Sequence, residues 1–203
     1  MIRFHNVYKT LSKKPVVNGF TTDFLRGNIY CINVTDELCH DTLCSLLTGY
    51  AKPTIGEIQT TDTICPITDS ILPDDMAVII YLEYIFEFAK RRNPDLSYDS
   101  IQTVVTLLEL SDILYKRIRS LSEFQKDRVK IASGILSDCD TLVITKPVVT
   151  LSRRIRRNFF KFLQIYKSEK LIIFLTRQGG GDYEYDELIN VKNGRITGYI
   201  SNI

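Results

Sequence analysis

Residues 34 to 42, Val-Thr-Asp-Glu-Leu-Cys-His-Asp-Thr, crowd together the side chains most able to exchange protons or hold an ion: Asp36, Glu37, Cys39, His40 and Asp41. Two chemistries compete there. His40 and Cys44 are four apart and share a helix face, so with Cys39 they form a candidate metal set, but the paired C-x-x-C spacing of structural zinc sites is absent. In the alternative, Asp36 or Asp41 caps a helix, Cys39 and Cys44 are small core residues and His40 lies on the surface. The second reading is preferred, and no metal is expected. A cationic cluster, Arg153, Arg154, Arg156 and Arg157, reads as a solvated helix face; contact with membrane headgroups or an acidic partner is the other option.

The elements that position these groups are legible in hydrophobic pattern. Leu121-Ser122 caps a helix running to about Leu136, with Val129, Ala132, Ile135 and Leu136 on one face. A polar link leads into Leu142-Val143-Ile144, a strand covered on both faces and stopped by Pro147. Strands are predicted at Ile2 to Val7, Val16 to Leu25 and Ile29 to Asn33, with turns at Lys13-Lys14-Pro15 and Arg26-Gly27. Helical patterns run from Ala77 to about Arg92, where Ile80, Tyr84, Phe86 and Phe88 are assigned to the core, and from Tyr98 to Leu110. After a further helix come a buried strand at Leu171 to Leu175, a flexible triple-glycine loop at 179 to 181, and a hairpin from Leu188 to Ile196 around Asn193-Gly194.

With 203 residues, 44% hydrophobic and 25% charged, the chain is expected to be globular, one domain spanning 1–203. A net charge of +2 calls for no polyanionic partner. Five cysteines without a regular framework, and an N-terminus without an apolar signal region, suggest a reducing, cytoplasmic compartment. The most lipid-like stretch, Ala77 to Ala89, holds Glu83 and Glu87 and falls short of the roughly 20 apolar residues a membrane span needs.

In order and spacing, Leu121, Ser122, Gln125, Arg128, Val129, Ile131, Ala132, Leu142, Ile144 and Pro147 resemble the signature helix and Walker B strand of ATP-binding cassette (ABC) nucleotide-binding domains. Asn6, Val7, Lys9, Pro15, Val16, Gly19, Phe20, Gly27, Ile29 and Tyr30 fit the family's opening phrase, with Leu11 at its usual adenine-stacking aromatic. Leu43 to Ile58 fits the segment after its phosphate loop, so the loop itself falls on Val34 to Thr42. There Val34, Glu37 and Cys39 replace glycines, His40 replaces the lysine, and Asp41 replaces the magnesium-binding hydroxyl; Thr42 alone is kept. Thr145 and Lys146 stand where the family has its magnesium-binding Asp and catalytic Glu, Ile67 stands at the Q-loop glutamine, Ser152 at the D-loop aspartate and Arg177 at the switch histidine. In the signature, Glu123 and Phe124 replace two glycines.

The resemblance implies an α/β fold: an ABC-type, P-loop NTPase-like core with a mostly parallel sheet, an antiparallel β subdomain and a helical subdomain over about residues 77–135. It also implies a catalytically degenerate cassette subunit, a pseudo-ATPase with no catalytic residues of its own and no cofactor when alone, with MgATP carried on a partner. The implied partners are a transmembrane permease and a second ABC subunit, in a hetero- or homodimer on the cytoplasmic face of the membrane, with no nucleic acid. Two alternatives stand beside this: a diverged but active ATPase drawing positive charge from Lys126, Lys146 and Arg177, and a regulatory or nucleic-acid-associated cassette outside transport.

Overall fold

The structure, a computed structural model, describes residues 1–68, 71–145, 148–177, 179 and 183–201. The expected strand stop at Pro147 and the loop residues Gly180 and Gly181 lie outside the described residues.

A six-stranded sheet runs in the order β5 (Ile64–Ile67), β6 (Thr141–Ile144), β7 (Leu171–Thr176), β3 (Ile29–Val34), β8 (Glu187–Lys192) and β9 (Arg195–Ser201), parallel except for β9. Every residue of β6 and β7 is buried, which is why both segments read as unbroken apolar runs rather than alternating ones. The two-residue period still sorts their side chains. Ile29, Cys31, Leu142, Ile144, Ile172 and Phe174 face one core, against α4 (Glu123–Leu136) and α5 (Arg153–Tyr166). Tyr30, Ile32, Val34, Val143, Leu171, Ile173 and Leu175 face a second core, under α1 (Glu37–Leu47) and the other sheet. Each fully buried large apolar side chain contributes about 1.5–3 kcal/mol.

The second sheet is antiparallel, in the order β2 (Lys14–Phe24), β1 (Ile2–Leu11) and β4 (Ile55–Thr60). Its first turn falls one residue earlier than the sequence suggests. Leu11 pairs with Lys14, Ser12 and Lys13 both take positive φ, and Pro15 already lies in the edge strand β2 opposite Thr10. The closing hairpin has the expected two-residue turn, with Asn193 and Gly194 at φ of 51° and 71°.

Between β5 and α4 come α2 (Val78–Lys90), α3 (Asp99–Leu107) and a 3-10 turn at Ile118–Ser120. The core assignment on α2 holds for Phe86 and is corrected for Ile80, Tyr84 and Phe88. Val78, Leu82, Phe86 and Ala89 are buried, whereas Ile80, Tyr84 and Phe88 are 51%, 61% and 58% exposed. The helix is apolar on nearly all sides and only one stripe of it meets the core, so composition alone does not separate Phe86 from its exposed neighbours. Ser122 caps α4 as read from the sequence, and the capping pair is reciprocal: Gln125 N donates to Ser122 Oγ at 3.3 Å, and Ser122 N to Gln125 Oε1 at 3.0 Å.

The two sheets meet at Asp62, just past β4, whose side chain is 1% exposed. Arg26 Nη2 and the Met1 ammonium each donate to it at 2.7 Å and Thr141 Oγ1 at 2.9 Å. Burial alone would raise the Asp62 carboxyl, but these donors outweigh it and hold it down to about 2 from the ordinary 3.8. A depressed carboxylate stabilises the fold above its unfolded pKa, and that contribution disappears as pH falls from about 4 through about 2. Arg26 and Met1 are partly exposed, so screening keeps the contribution to about 1–2 kcal/mol. Asp62→Asn should therefore lower the neutral-pH urea midpoint and flatten the acid limb of the stability profile; an unchanged acid limb would show that Asp62 titrates normally. Gly56 takes φ +82° with the Asn6 carbonyl oxygen 2.1 Å from where a Cβ would sit. Gly56→Ala is expected to cost at least about 2 kcal/mol in chemical denaturation, because backbone cannot yield as a side-chain tip can.

Candidate functional site

Ligands of open parallel sheets bind beyond the C-terminal strand ends, and the residues singled out in the sequence largely gather there. β3 ends at the buried Val34, Thr35 and Asp36 form the link, and α1 begins at Glu37. Residues 37 to 42 are therefore helix rather than open loop. No residue from 34 to 42 has positive φ, so the alternating backbone of an anion-binding nest is not formed. Asp36 is the cap: its Oδ1 accepts from Cys39 N at 2.7 Å, using one of the free amides at the helix start.

The ionisable groups of this segment bond to the protein around them. Glu37 Oε1 accepts from Arg177 Nη1 at 2.7 Å, joining the start of α1 to the residue after β7. Both side chains are about half exposed or more, so the pair is worth no more than about 1 kcal/mol. His40 is not on the surface, as expected from its type, but 9% exposed. Its Nε2 lies 3.3 Å from the Leu175 carbonyl and its Nδ1 2.9 Å from Asp41 Oδ1. It is buried because it sits beside Cys39 and Leu43 on the face of α1 that packs over the sheet. Asp41 stays solvent-exposed, and Thr42 Oγ1 donates back to Leu38 O at 2.6 Å.

Burial first, then the charge of Asp36, pushes the Cys39 thiol up to about 11; burial and Asp41 do the same for Cys44, also to about 11. Both remain thiols at neutral pH. Among the described residues no three His, Cys, Asp or Glu side chains are placed to share a metal ion.

At the neighbouring strand ends, Thr145 donates to the Ile67 carbonyl through N at 3.1 Å and through Oγ1 at 3.4 Å. The Ile67 side chain turns away into the core, against Gly134 of α4. Lys146 lies outside the described residues. Ser152 caps α5 by accepting from Ile155 N at 3.3 Å. At the start of α4, Glu123 is exposed and paired with Lys126 at 3.1 Å. Arg128 is buried instead, donating to the Leu108 and Glu109 carbonyls at 3.2 and 2.7 Å and lying over the Phe124 ring. Val34, His40, Asp41 and Arg177 thus share one strand-end region, while Ser122, Glu123 and Gln125 form a separate helix start. The sequence reading missed the Glu37–Arg177 pair; the signal was opposite charge on residues that follow adjacent parallel strands.

Two sheets, their order and the intervening helices make this the fold of an ABC cassette. A dimeric bacterial ABC transporter cassette, MJ0796, superposes with a TM-score of 0.83 at 16% identity, covering 99% of this chain and 98% of that one. In sequence the chain is 23% identical over 208 residues to the energy-coupling factor transporter ATP-binding protein EcfA1 of Mycoplasma pneumoniae, covering 95% of this chain and 76% of that protein. It is 21% identical over 169 residues to the spermidine/putrescine import ATP-binding protein PotA of Legionella pneumophila, covering 77% of this chain but only 46% of PotA. No protein-family model matches.

Removing the α4 cap tests the local energetics of that helix start. Ser122→Ala should destabilise the chain by about 1 kcal/mol in urea unfolding, and Gln125→Ala by less, since it leaves the Ser122 acceptor in place.

Proposed function

We propose that this chain is the catalytically degenerate cassette subunit of an ABC transport system, bound to a permease and to a second, ATP-hydrolysing cassette. One observation carries the reading: the phosphate-loop segment passes into helix at Glu37, with the Asp36 carboxylate on its free amide and the Glu37 carboxylate neutralised by Arg177. A magnesium nucleotide does not fit those residues. It would meet Asp36, Glu37 and Asp41 where it needs donors, and a buried His40 whose ring faces Asp41 and the Leu175 carbonyl where it needs a free ammonium. Thr145 at the end of β6 offers a hydroxyl bonded to the Ile67 carbonyl, not the carboxylate a magnesium ion would call for. MgATP is then a ligand of the partner cassette.

Ser122 and Gln125 satisfy each other, so the start of α4 is a pre-formed surface for an opposing subunit. A lone Glu123 carboxylate about 4 Å from a phosphate charge would oppose closure by on the order of 4 kcal/mol at an effective dielectric of about 20. Lys126 at 3.1 Å offsets much of that, so Glu123 tempers closure rather than forbidding it. The exposed stripe Ile80, Tyr84 and Phe88 is the surface assigned to the permease. Among the described residues no helix is long and apolar enough to cross a membrane, and attachment to the cytoplasmic face runs through that partner.

Calorimetry of the isolated chain with MgATP should give no micromolar binding. Micromolar affinity, or turnover lost on His40→Ala, would instead support the diverged-ATPase reading. In the assembled complex, Glu123→Gly should raise the partner's ATPase rate a few-fold; an unchanged rate with assembly intact removes the tempering role.

A further inference from the structure

Where α2, α3, α4 and α5 come together they leave a cavity of about 250 Å³, which shares no residue with the strand-end region. Its inner wall is apolar. Phe86, Val104, Ile135 and Leu136 are buried there, and the stacked rings of Phe162 and Tyr166, with centroids 5.0 Å apart, form another side. Tyr166 donates its hydroxyl to the Ile135 carbonyl at 3.5 Å, so that proton is already used and the ring is what a ligand meets. A cavity of about 150 Å³ with walls of this kind takes up benzene, so the larger one has room for a ring and a short side chain.

The polar residues of the lining offer acceptors. Asp99, Ser100 and Thr103 belong to the first turns of α3, and Asp99 and Thr103 are exposed, which marks the outer end of the cavity. Thr103 Oγ1 donates to the Asp99 carbonyl at 2.9 Å, so its hydrogen is engaged and its lone pairs remain. Among the described residues no cation pairs with the Asp99 carboxylate. Asp138, the other charged residue of the lining, is bound to Lys170 at 2.7 Å and to Asn93 Nδ2 at 3.0 Å. Two ammonium groups already lie against rings of this corner: Lys90 Nζ is 4.3 Å from the Tyr98 centroid and 5.7 Å from that of Phe86, and Lys170 Nζ is 5.8 Å from that of Tyr166. Lys90 holds the Phe86 face, so a further ammonium is directed to Asp99.

We propose that this cavity binds a small primary amine with an aromatic body, its ammonium at Asp99 and Thr103 and its ring against Val104, Phe162 and Tyr166. A ligand ending in a carboxylate would face Asp99 with like charge, and a hydrocarbon would leave the acceptors of α3 without donors. An ammonium brings three donors and the opposite charge, while the ring fills the apolar part. Because the walls come from four helices, an occupant joins α2 and α3 to α4 and α5, and its binding free energy adds to the stability of that packing.

The test is titration of the full chain with three compounds that share a ring and differ at the tip, phenethylamine, 2-phenylethanol and 3-phenylpropionate, read by calorimetry and by the methyl resonances of Val104, Ile135 and Leu136. Phenethylamine should bind about tenfold more tightly than 2-phenylethanol, and 3-phenylpropionate more weakly than either. Those methyl resonances should shift with the midpoint that calorimetry gives. Asp99→Asn, at an exposed position, should bring phenethylamine to the affinity of 2-phenylethanol and leave the alcohol nearly unchanged. Equal affinity for amine and alcohol, an amine preference retained in Asp99→Asn, shifts confined to other methyl groups, or no binding of phenethylamine at millimolar concentration would each overturn the proposal.

Discussion

Asp62 is the carboxylate on which the joining of the two sheets depends. It lies where the chain leaves β4 for β5, and its donors come from the start of β1, the turn between β2 and β3, and the first residue of β6. Asp140 extends the joint: its Oδ2 accepts from Thr63 N at 2.9 Å and Thr63 Oγ1 at 2.8 Å, while Arg26 reaches its Oδ1 at 2.9 Å. A buried carboxylate with one partner would weigh against folding; one with three donors fixes direction as well as energy. The parallel strands can then start level with one another, and their far ends converge on one region.

That convergence explains why topology could be read so fully from sequence. The runs at 142–144 and 171–175 are apolar without alternation because helices and the second sheet cover both faces, and only a central parallel strand demands that pattern. Ser122 and Gln125 announced a helix start through local bonding that needs no tertiary context. His40 and the α2 residues Ile80, Tyr84 and Phe88 differ from the sequence expectation for the opposite reason, while Phe86 is buried as expected. Whether an imidazole is buried depends on a carbonyl 135 positions away, and which stripe of an apolar helix meets the core depends on neighbours the helix does not encode. Likewise the turn at Ser12-Lys13 displaced the expected Lys-Pro turn because pairing register, set by both strands, outranks local turn preference.

The strand-end region differs from the rest in what its polar groups do. Elsewhere they join elements that must stay together; here Asp36 and Thr42 bond within the segment that carries them, and Glu37 and His40 reach the end of β7. Glycines would have left the backbone able to curl. Ordinary side chains and an acidic cap favour a helix that starts at Glu37, so these residue types set local conformation as well as charge.

The sheet ends on one side at β5, four residues long, whose third residue is Pro66. A proline there has no amide hydrogen to offer, and so short a strand presents little ladder to an incoming chain. The parallel core, otherwise a stack of the most apolar segments in the molecule, is thereby closed to growth by strand addition along that border. That border is thereby kept from becoming an adhesive edge.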